Sequence, residues 1–361
     1  MKVVAFYGGN ITNLAGTERA MFSVANGLAE TGNYKVIIIS TIGIREDVKY
    51  NLHPSIDVVC LNINNYKKQF LKLGQRLINV VKFNKIQYLI SVEAISFLFT
   101  FYLKFIFGKD LQLILWEHFN FTVNLGLRSR DYARKLAAKF ADGIVVLTQR
   151  DKELWSKNLN IKGGITSINN PSPFEITPSP YNKESKSIIA IGRYTFQKGF
   201  DKLIEIWNQF VKEYRIPSGW KLQIIGQGED QELLERLIKK YELKNVELVG
   251  PTSNIGLYYS EASFLVMTSR FEGLPMTLIE AQSYGLPIIS FDCLTGPSEV
   301  LNNKNGFLIP MDDNENFCKS LNIMILNMDL RGRMSDESKI RSQDFAVQPT
   351  IKKWEHFLES I

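Results

Sequence analysis

Short apolar runs alternate with helical patterns along almost the whole chain of 361 residues. Each run has the length of a short buried strand, and between the runs apolar residues repeat at helical spacing. Strands separated by helices predict βαβ units, in which the strands are parallel and helices cover both faces of the sheet. The sequence therefore predicts the α/β class. The predicted strands are 3–6, 36–39, 88–92, 111–115, 144–147, 188–191, 222–225, 246–249, 264–267 and 288–291.

A proline-rich segment divides this pattern into two halves. Residues 169–186 contain four prolines and little periodic hydrophobicity, which is typical of a boundary between domains. Both halves open with a strand that runs into a glycine turn. We therefore expect two Rossmann-like domains, 1–171 and 172–344, whose parallel sheets face a central cleft. The segment 345–361 has apolar residues at helical spacing, and we expect it to form a helix that packs back on the first domain.

Composition excludes several classes of protein. Hydrophobic residues make up 45% of the chain, yet no segment approaches the roughly 18 apolar residues of a membrane span. The amino-terminal residues lack the apolar run and cleavage site of a signal peptide, so we expect a cytoplasmic protein. The three cysteines are scattered and odd in number, which leaves neither a disulfide framework nor a CxxC metal site.

Part of the net charge of +6 lies in one stretch. Residues 62–88 contain six Lys and Arg residues, no Asp or Glu, and interleaved apolar side chains. A basic amphipathic helix of this kind can lie on an anionic membrane, and a surface helix with a solvated charged face explains the pattern equally well. The neighbouring aromatic-rich run 97–107 fits a buried helix better than membrane contact. Peripheral membrane contact is therefore one of two hypotheses for this region.

The most informative segment is 270–290, which follows the predicted strand 264–267. It contains a loop, then Pro275 at the predicted first helical position, then a helix that ends before Gly285. The first turn of such a helix has unpaired backbone N–H groups and the positive end of the helix dipole, a combination that binds phosphate. The candidate phosphate-binding amides are those of Leu274, Met276 and Thr277.

Two glutamates flank this helix start. Glu280 lies five residues beyond Pro275, about 7.5 Å along a helix axis, which is roughly the separation of diphosphate and ribose in one nucleotide. Its carboxylate can accept hydrogen bonds from both ribose hydroxyls. Glu272, on the loop before the helix, points toward the other side of the phosphates, where a sugar would lie. This spacing predicts a nucleotide-sugar site.

The segment EGLPMTLIE, residues 272–280, resembles the EGxPxxxxE signature of the retaining GT-B glycosyltransferases of family four, the glycosyl transferases group 1. In that family the first glutamate contacts the donor sugar and the second contacts the ribose. The resemblance carries these roles over to Glu272 and Glu280. For the segment alone, a helix that merely begins with Glu and Pro is the alternative interpretation.

The loop after the first strand of the second half contains Arg193 and Lys198. Fixed cations that face a departing nucleoside diphosphate lower the barrier without a metal ion. Their spacing resembles the Arg and Lys pair that the family places at the diphosphate, and we assign both residues that role. Two solvated surface charges are the default alternative. Gly250 follows another strand, and we expect it to border the base pocket.

The loop GGNITNLAGTER, residues 8–19, joins the first strand to the first helix. It is not a GxGxxG fingerprint, which disfavours a dinucleotide site of the dehydrogenase type. It resembles the GGxER-type turn of the family, with Ala15 in place of one glycine. Gly9 and Gly16 are therefore candidates for close backbone approach to the donor, and a purely steric role in a tight turn is the alternative.

His118 follows the predicted strand 111–115. A lone histidine is usually structural, but this one lies at the carboxyl end of a strand, where ligands bind in parallel sheets. Many members of the family carry Glu-His followed by Asn at this point, and the histidine hydrogen-bonds the donor sugar. The resemblance assigns that role to His118. Glu117 either orients the imidazole or faces away.

The resemblance implies a retaining glycosyltransferase that moves a hexose or N-acetylhexosamine from a nucleotide sugar, UDP-linked by expectation, to a hydroxyl of a glycan. In this interpretation the domain 172–344 binds the nucleotide sugar and the domain 1–171 binds the acceptor. A lipid-linked acceptor in bacterial surface polysaccharide or glycoprotein glycan assembly fits the basic stretch. Because the chain contains no Asp-x-Asp motif, we expect no metal, and no cofactor besides the donor. A GT-B-like sugar-nucleotide epimerase, which needs no acceptor, is one alternative. A basic nucleic-acid-binding protein is another, but no recognised module supports it, so we expect no nucleic acid as partner.

Overall fold

The computed structural model describes residues 1–12, 16–48, 50–66, 68–176 and 181–361. The chain divides into two compact units. The first unit comprises Met1–Pro173 and Ala346–Ile361, and the second comprises Phe174–Phe345. The boundaries expected from the sequence, after residues 171 and 344, differ from these by two residues and one residue.

The first unit is built on a seven-stranded parallel sheet. Its strands are β1 (Lys2–Tyr7), β2 (Tyr34–Ser40), β3 (Asp57–Cys60), β4 (Tyr88–Val92), β5 (Gln112–Trp116), β6 (Gly143–Val146) and β7 (Gly164–Ser167). They are arranged in the order β3-β2-β1-β4-β5-β6-β7. The chain therefore winds outward in both directions from β1, and the topological switch point lies between β1 and β4.

Helices join these strands at every connection except that from β2 to β3, which confirms the α/β class. They are α1 (Gly16–Glu30), α2 (Phe70–Asn84), α3 (Ala94–Phe97), α4 (Leu103–Phe107), α5 (Arg128–Phe140) and α6 (Gln149–Asn158). In α1 the apolar positions that the sequence places at helical spacing, among them Met21, Val24 and Leu28, are all buried. The helix ends before Gly32, whose φ of 71° is the left-handed conformation of a terminating glycine.

The second unit repeats this winding on a six-stranded sheet. Its strands are β8 (Ser187–Ile191), β9 (Lys221–Ile225), β10 (Val246–Val249), β11 (Phe264–Met267), β12 (Ile288–Phe291) and β13 (Gly306–Ile309). The order is β10-β9-β8-β11-β12-β13, so the switch point lies between β8 and β11. The helices are α7 (Phe200–Glu213), α8 (Gln231–Lys240), α9 (Ile255–Glu261), α10 (Met276–Ser283), α11 (Pro297–Val300), α12 (Asn314–Leu326) and α13 (Met328–Ser342).

The sequence missed β3, β7 and β13, which all lie at sheet edges. The central strands are buried on both faces and therefore appear as continuous apolar runs. Edge strands are covered less completely: β3 and β7 contain no fully buried residue, and β13 is buried only at its two ends. The sequences of β3 (DVVC) and β7 (GITS) are correspondingly mixed, and periodicity alone does not distinguish them from loops. β13 (GFLI) is an apolar run that the prediction missed.

The final helix, α14 (Val347–Ser360), belongs to the first unit. Its Ile351 packs on Gly27 of α1 so closely that a Cβ atom at Gly27 would lie 2.4 Å from Ile351 Cγ1. Its Trp354 is fully buried, with its ring centroid 4.9 Å from that of Trp116 at the end of β5. The last helix of the chain thus forms part of the core of the first unit.

Candidate active site

The candidate residues of the second unit lie on the loops that leave β8 and β11, the two strands at its switch point. Loops on either side of a switch point run in opposite directions and leave a crevice at the carboxyl edge of the sheet. Arg193 and Lys198 follow β8, and Glu272 follows β11. The topology therefore brings these three predicted residues to the same edge of one sheet.

Lys198 and Glu272 form a mostly buried ion pair. The distance from Lys198 Nζ to Glu272 Oε1 is 2.7 Å, and the two side chains are 18% and 7% exposed. Gln197 Nε2 lies 3.4 Å from the other carboxylate oxygen and donates to the carbonyl of Phe271. An ammonium group has three N–H donors, and Glu272 is the one acceptor of Lys198 among the described residues. The ion pair thus holds both charges in place and leaves donors on the lysine for a ligand.

A glycine and a second ion pair hold the two loops together. Gly199 has φ of 64°, and a Cβ atom there would lie 2.3 Å from the carbonyl oxygen of Thr268, so only glycine fits. Arg270 donates two hydrogen bonds to Asp201, of 2.9 and 2.6 Å. Burial raises the pKa of Asp201, but the hydrogen bonds and charge of Arg270 outweigh it, and the pKa is lowered. Arg193 is exposed and makes no hydrogen bond within the described ranges.

Helix α10 begins one residue later than predicted. The sequence placed Pro275 at the first helical position, but its ψ of 99° is extended, and it precedes the helix as the N-cap residue. The first helical hydrogen bond closes from the Leu278 N–H to the Pro275 carbonyl, at 3.0 Å. The three candidate amides therefore stay at the open end of the helix. In the part of the chain that the structure describes, no acceptor pairs with the N–H groups of Leu274, Met276 and Thr277.

The segment after β12 supports this helix start, and sequence reasoning missed it. Thr295 donates from Oγ1 to the backbone carbonyl of Glu272. Gly296 has φ of 100°, and a Cβ atom there would lie 2.4 Å from Pro275 Cδ. Burial, followed by the charge of Glu272, raises the pKa of the Cys293 thiol to about 12, so this cysteine stays protonated. A Thr-Gly-Pro turn directly after a buried strand is the signal that would have indicated the segment.

Glu280 is buried in α10 and hydrogen-bonded to a tyrosine that the sequence gave no reason to choose. Tyr259 Oη donates to Glu280 Oε2 at 2.8 Å, and its ring stacks on that of Tyr284 with 5.3 Å between centroids. Burial and the nearby charge of Glu280 raise the pKa of Tyr284. Because Tyr259 lies on another helix, 21 residues earlier, no local pattern links it to Glu280.

Gly250 lies apart from this group. It follows β10, the edge strand two places from β8, and no atom lies within 4 Å of the position its Cβ would occupy. Its expected place beside the base pocket stays a prediction. In the first unit, Gly9 accepts a hydrogen bond from the Thr41 N–H at its carbonyl, and Gly16 begins α1. Residues 13–15, which include Ala15, lie outside the described residues.

His118 is buried at the carboxyl end of β5. Its ring centroid lies 4.5 Å from that of Trp116, and its Nε2 atom has no hydrogen-bond partner among the residues described. Burial lowers its pKa to about 3, so the imidazole is neutral at neutral pH. Glu117 does not orient this ring. Its carboxylate accepts the backbone N–H groups of His118 and Phe119 and pairs with Arg134 Nε at 3.1 Å.

Two properties of the described residues bear on the expected partners. No group of three or more His, Cys, Asp or Glu side chains there could hold a metal ion. The expectation that the reaction needs no metal stays a prediction. None of the helices within the described ranges has the length and hydrophobicity to cross a bilayer.

Comparisons with known proteins show the family and the fold of the chain. The family model described as glycosyl transferases group 1 matches residues 172–341. A Haemophilus influenzae protein named uncharacterized glycosyltransferase is 33% identical over 366 residues, covering 99% of this chain and 100% of that protein. The Campylobacter jejuni GalNAc-alpha-(1->4)-GalNAc-alpha-(1->3)-diNAcBac-PP-undecaprenol alpha-1,4-N-acetyl-D-galactosaminyltransferase is 26% identical over 353 residues, covering 95% and 94%. The crystal structure of Anabaena Alr3699/HepE in complex with UDP superposes with a TM-score of 0.81 at 17% identity, covering 100% of both chains.

Proposed function

Because the chain belongs to the glycosyl transferases group 1 family and is a glycosyltransferase of the GT-B type, we propose that it transfers a hexose or N-acetylhexosamine from a UDP-sugar to a glycan hydroxyl. Transfer retains the anomeric configuration and needs no metal ion. The observation that carries the proposal is the Lys198–Glu272 ion pair at the switch point of the second unit. It supplies a fixed cation for a diphosphate and a fixed carboxylate for a sugar.

The diphosphate of the donor binds between the loop after β8 and the start of α10. Lys198 and Arg193 provide positive charge, and the open amides of α10 provide hydrogen bonds with the favourable end of the helix dipole. When the bond to the sugar breaks, negative charge accumulates on the diphosphate. Cations that are held in place beforehand stabilise that charge with little reorganisation.

The sugar and the nucleoside bind to the two glutamates. Glu272, held by Lys198 and by the support of Thr295, accepts hydrogen bonds from the sugar hydroxyls. Glu280 accepts those of the ribose, and Gly250 borders the base. In the first unit the neutral His118 hydrogen-bonds the transferred sugar through Nε2, which no described residue pairs with, and Gly9 and Gly16 allow backbone approach to the donor.

Replacing Tyr259 by phenylalanine is expected to weaken UDP binding by about 3- to 10-fold. The change removes the 2.8 Å hydrogen bond that orients the Glu280 carboxylate. Hydrogen bonds to charged groups contribute about 1.5–3 kcal/mol, and we expect part of this free energy to be lost from UDP binding. Isothermal titration calorimetry with UDP measures the effect. Tyr258→Phe, at the neighbouring and less buried position, is the matched control and should bind UDP like the wild type. Equal affinities for the two variants would contradict the assigned role of Glu280.

The acceptor that we propose is a lipid-linked glycan at the inner face of a bacterial membrane, in polysaccharide or glycoprotein glycan assembly. The name of the Campylobacter jejuni relative, which contains an undecaprenol diphosphate acceptor, supports it. The surface of α2 also supports it, because the helix buries Leu73 and Leu77 and leaves Leu71 and Phe83 85% and 87% exposed. Lys72 and Lys82 are exposed on the same helix. Apolar side chains among lysines suit an anionic bilayer surface.

The aromatic-rich run 97–107 comprises the last residue of α3, a turn and the short helix α4, and its burial is mixed. Phe97 and Leu103 are buried, as the preferred interpretation required, but Phe105 and Ile106 are 67% and 51% exposed. These two side chains extend the exposed apolar surface of the first unit.

The double variant Leu71→Glu with Phe83→Glu is expected to reduce flotation with anionic liposomes by at least about 10-fold, because it removes two insertable side chains and adds charge that phosphatidylglycerol repels. Flotation with vesicles of phosphatidylcholine and phosphatidylglycerol, at low and high salt, measures binding. Leu326→Glu, at a 62% exposed position of the second unit, is the control. Absence of salt-sensitive flotation of the wild type would count against membrane contact.

A donor panel tests the function as a whole. The protein is incubated with UDP-, GDP- and ADP-sugars, with and without octyl glycosides as acceptors, and the products are identified by mass. We expect release of UDP that the acceptor accelerates. An altered nucleotide sugar without UDP release would instead indicate an epimerase, and absence of nucleotide binding together with binding of nucleic acid would overturn the proposal.

A further inference from the structure

Besides Glu272 and Glu280 of the second unit, a third glutamate, Glu93, lies at the switch point of the first unit. Glu93 directly follows β4, and its backbone N–H donates to the carbonyl of Trp116 at the end of β5. β4 is the neighbour of β1 and of β5, so Glu93 follows the strand between the glycine loop and the strand that precedes His118. In the second unit the corresponding strand is β11, and Glu272 is on the loop that follows it. Glu93 thus occupies an edge of the sheet where ligands bind.

The backbone of Glu93 is strained. Its φ of 69° and ψ of 151° fall in a region that residues other than glycine almost never adopt, at a cost of about 1–3 kcal/mol. Glycine would adopt this conformation without strain, yet the chain has a glutamate here. A side chain kept at the expense of stability is typical of a functional position.

The carboxylate of Glu93 is held from two sides and stays accessible. Arg130 Nη2 donates to Oε2 at 2.9 Å, and Thr17 Oγ1 donates to Oε1 at 3.3 Å. Each oxygen can accept more than one hydrogen bond, and the side chain is 26% exposed. Arg130 itself is 7% exposed and stacks on the ring of Phe119. The carboxylate therefore has a fixed position and spare acceptor capacity.

Beside Glu93, two buried nitrogen atoms of Arg130 lack hydrogen-bond partners among the described residues. Nε and Nη1 of Arg130 are buried and make no hydrogen bond within the described part of the chain, with Nη1 3.9 Å from the Glu117 carboxylate. Unpaired buried donors cost stability. Burial raises the pKa of Glu93, although Arg130 acts against this. Strain and unpaired donors at one point both indicate a binding site rather than a site shaped for stability.

We propose that Glu93 is an acceptor-specificity residue, whose carboxylate accepts hydrogen bonds from hydroxyl groups of the acceptor sugar while Arg130 and Thr17 position it. The inference rests on the proposed glycosyl transfer and assigns the acceptor sugar to the switch point of the first unit. A polyhydroxylated ligand matches the site because hydroxyl groups are hydrogen-bond donors, and both carboxylate oxygens of Glu93 can accept further hydrogen bonds.

The variant Glu93→Gln tests this inference, because it keeps the size and an oxygen for Arg130 but removes the charge. With octyl glycosides of galactose, glucose, N-acetylgalactosamine and N-acetylglucosamine as acceptors, the acceptor KM should rise about 10- to 100-fold, the loss of one hydrogen bond to a charged group. UDP affinity should stay unchanged. Glu242→Gln, the other glutamate with positive φ, at 53°, is the matched control.

Deoxygenated acceptors separate binding from a merely structural role. For the best glycoside, the deoxy analogue that lacks the contacted hydroxyl should be a poor acceptor for the wild type and no poorer for Glu93→Gln. If the variant lowers transfer to every analogue by the same factor, or leaves the acceptor KM unchanged, the inference is wrong while glycosyl transfer stands.

A binding measurement covers the case in which no glycoside is turned over. Saturation-transfer NMR with the same octyl glycosides should then give a signal for the wild type that Glu93→Gln loses, and absence of a wild-type signal would overturn the inference. Failure of the wild type to bind UDP would overturn the proposed function itself, so the two failures are distinguishable.

Discussion

Replacing Lys198 by alanine is expected to lower kcat for glycosyl transfer by about 100- to 1,000-fold, the loss typical for removal of one fixed group that stabilises transition-state charge. Lys198 holds Glu272 with a 2.7 Å ion pair. The substitution therefore removes a cation from the proposed diphosphate site and releases the carboxylate proposed to hold the sugar. Both losses act mainly on the transition state, so kcat should fall much more than the KM for the donor rises.

Steady-state kinetics with the best donor and acceptor of the panel measure this effect. Lys202→Ala is the matched control, because Lys202 lies in α7 four residues further on and pairs with Asp312 instead. Circular dichroism shows whether each variant is folded. If Lys198→Ala keeps more than about a third of the wild-type kcat, the proposed diphosphate site is wrong.

Replacing Trp354 by alanine is expected to destabilise the first unit by about 3–5 kcal/mol, the range observed when a large aromatic residue is removed from a core. Trp354 is fully buried in α14, and its ring lies against Trp116, which in turn contacts His118. The cavity would therefore open next to the strand end that carries the candidate histidine. We expect lower activity at temperatures where the variant begins to unfold.

Urea unfolding followed by tryptophan fluorescence and circular dichroism measures this loss. Because the chain has two units, more than one transition can occur, and the transition of the first unit is the one that should shift. Phe83→Ala, at a position 87% exposed, is the control and should change stability by less than about 0.5 kcal/mol. An unchanged transition for Trp354→Ala would mean that α14 contributes little to the core.

The α/β fold class was predictable because central parallel strands are buried on both faces. Their apolar runs, such as 222–225 and 264–267, cannot be mistaken for solvated segments. The edge strands β3 and β7 escaped prediction because partial exposure permits mixed sequences. Helix α10 was predictable because Pro275 marks its start, although the proline caps the helix rather than opening it.

The candidate site was predictable only where one short segment contains several of its residues. Glu272 and Glu280 belong to one loop and one helix, and their spacing is visible in the chain. Tyr259, Thr295 and Gly296 act on those residues from other elements, so no local pattern pointed to them.

The sequence by itself determined the two α/β halves, the strand ends that carry the candidate residues and the motif of the proposed nucleotide-sugar site, because burial and helix capping are local demands. Only the tertiary structure decided which side chains form ion pairs and hydrogen bonds with each other. The Lys198–Glu272 ion pair spans 74 positions and the Glu93–Arg130 pair spans 37, and sheet winding alone brings such residues within hydrogen-bond distance. The strained conformation of Glu93 belongs to the same class, because a backbone dihedral is imposed by the packing around it.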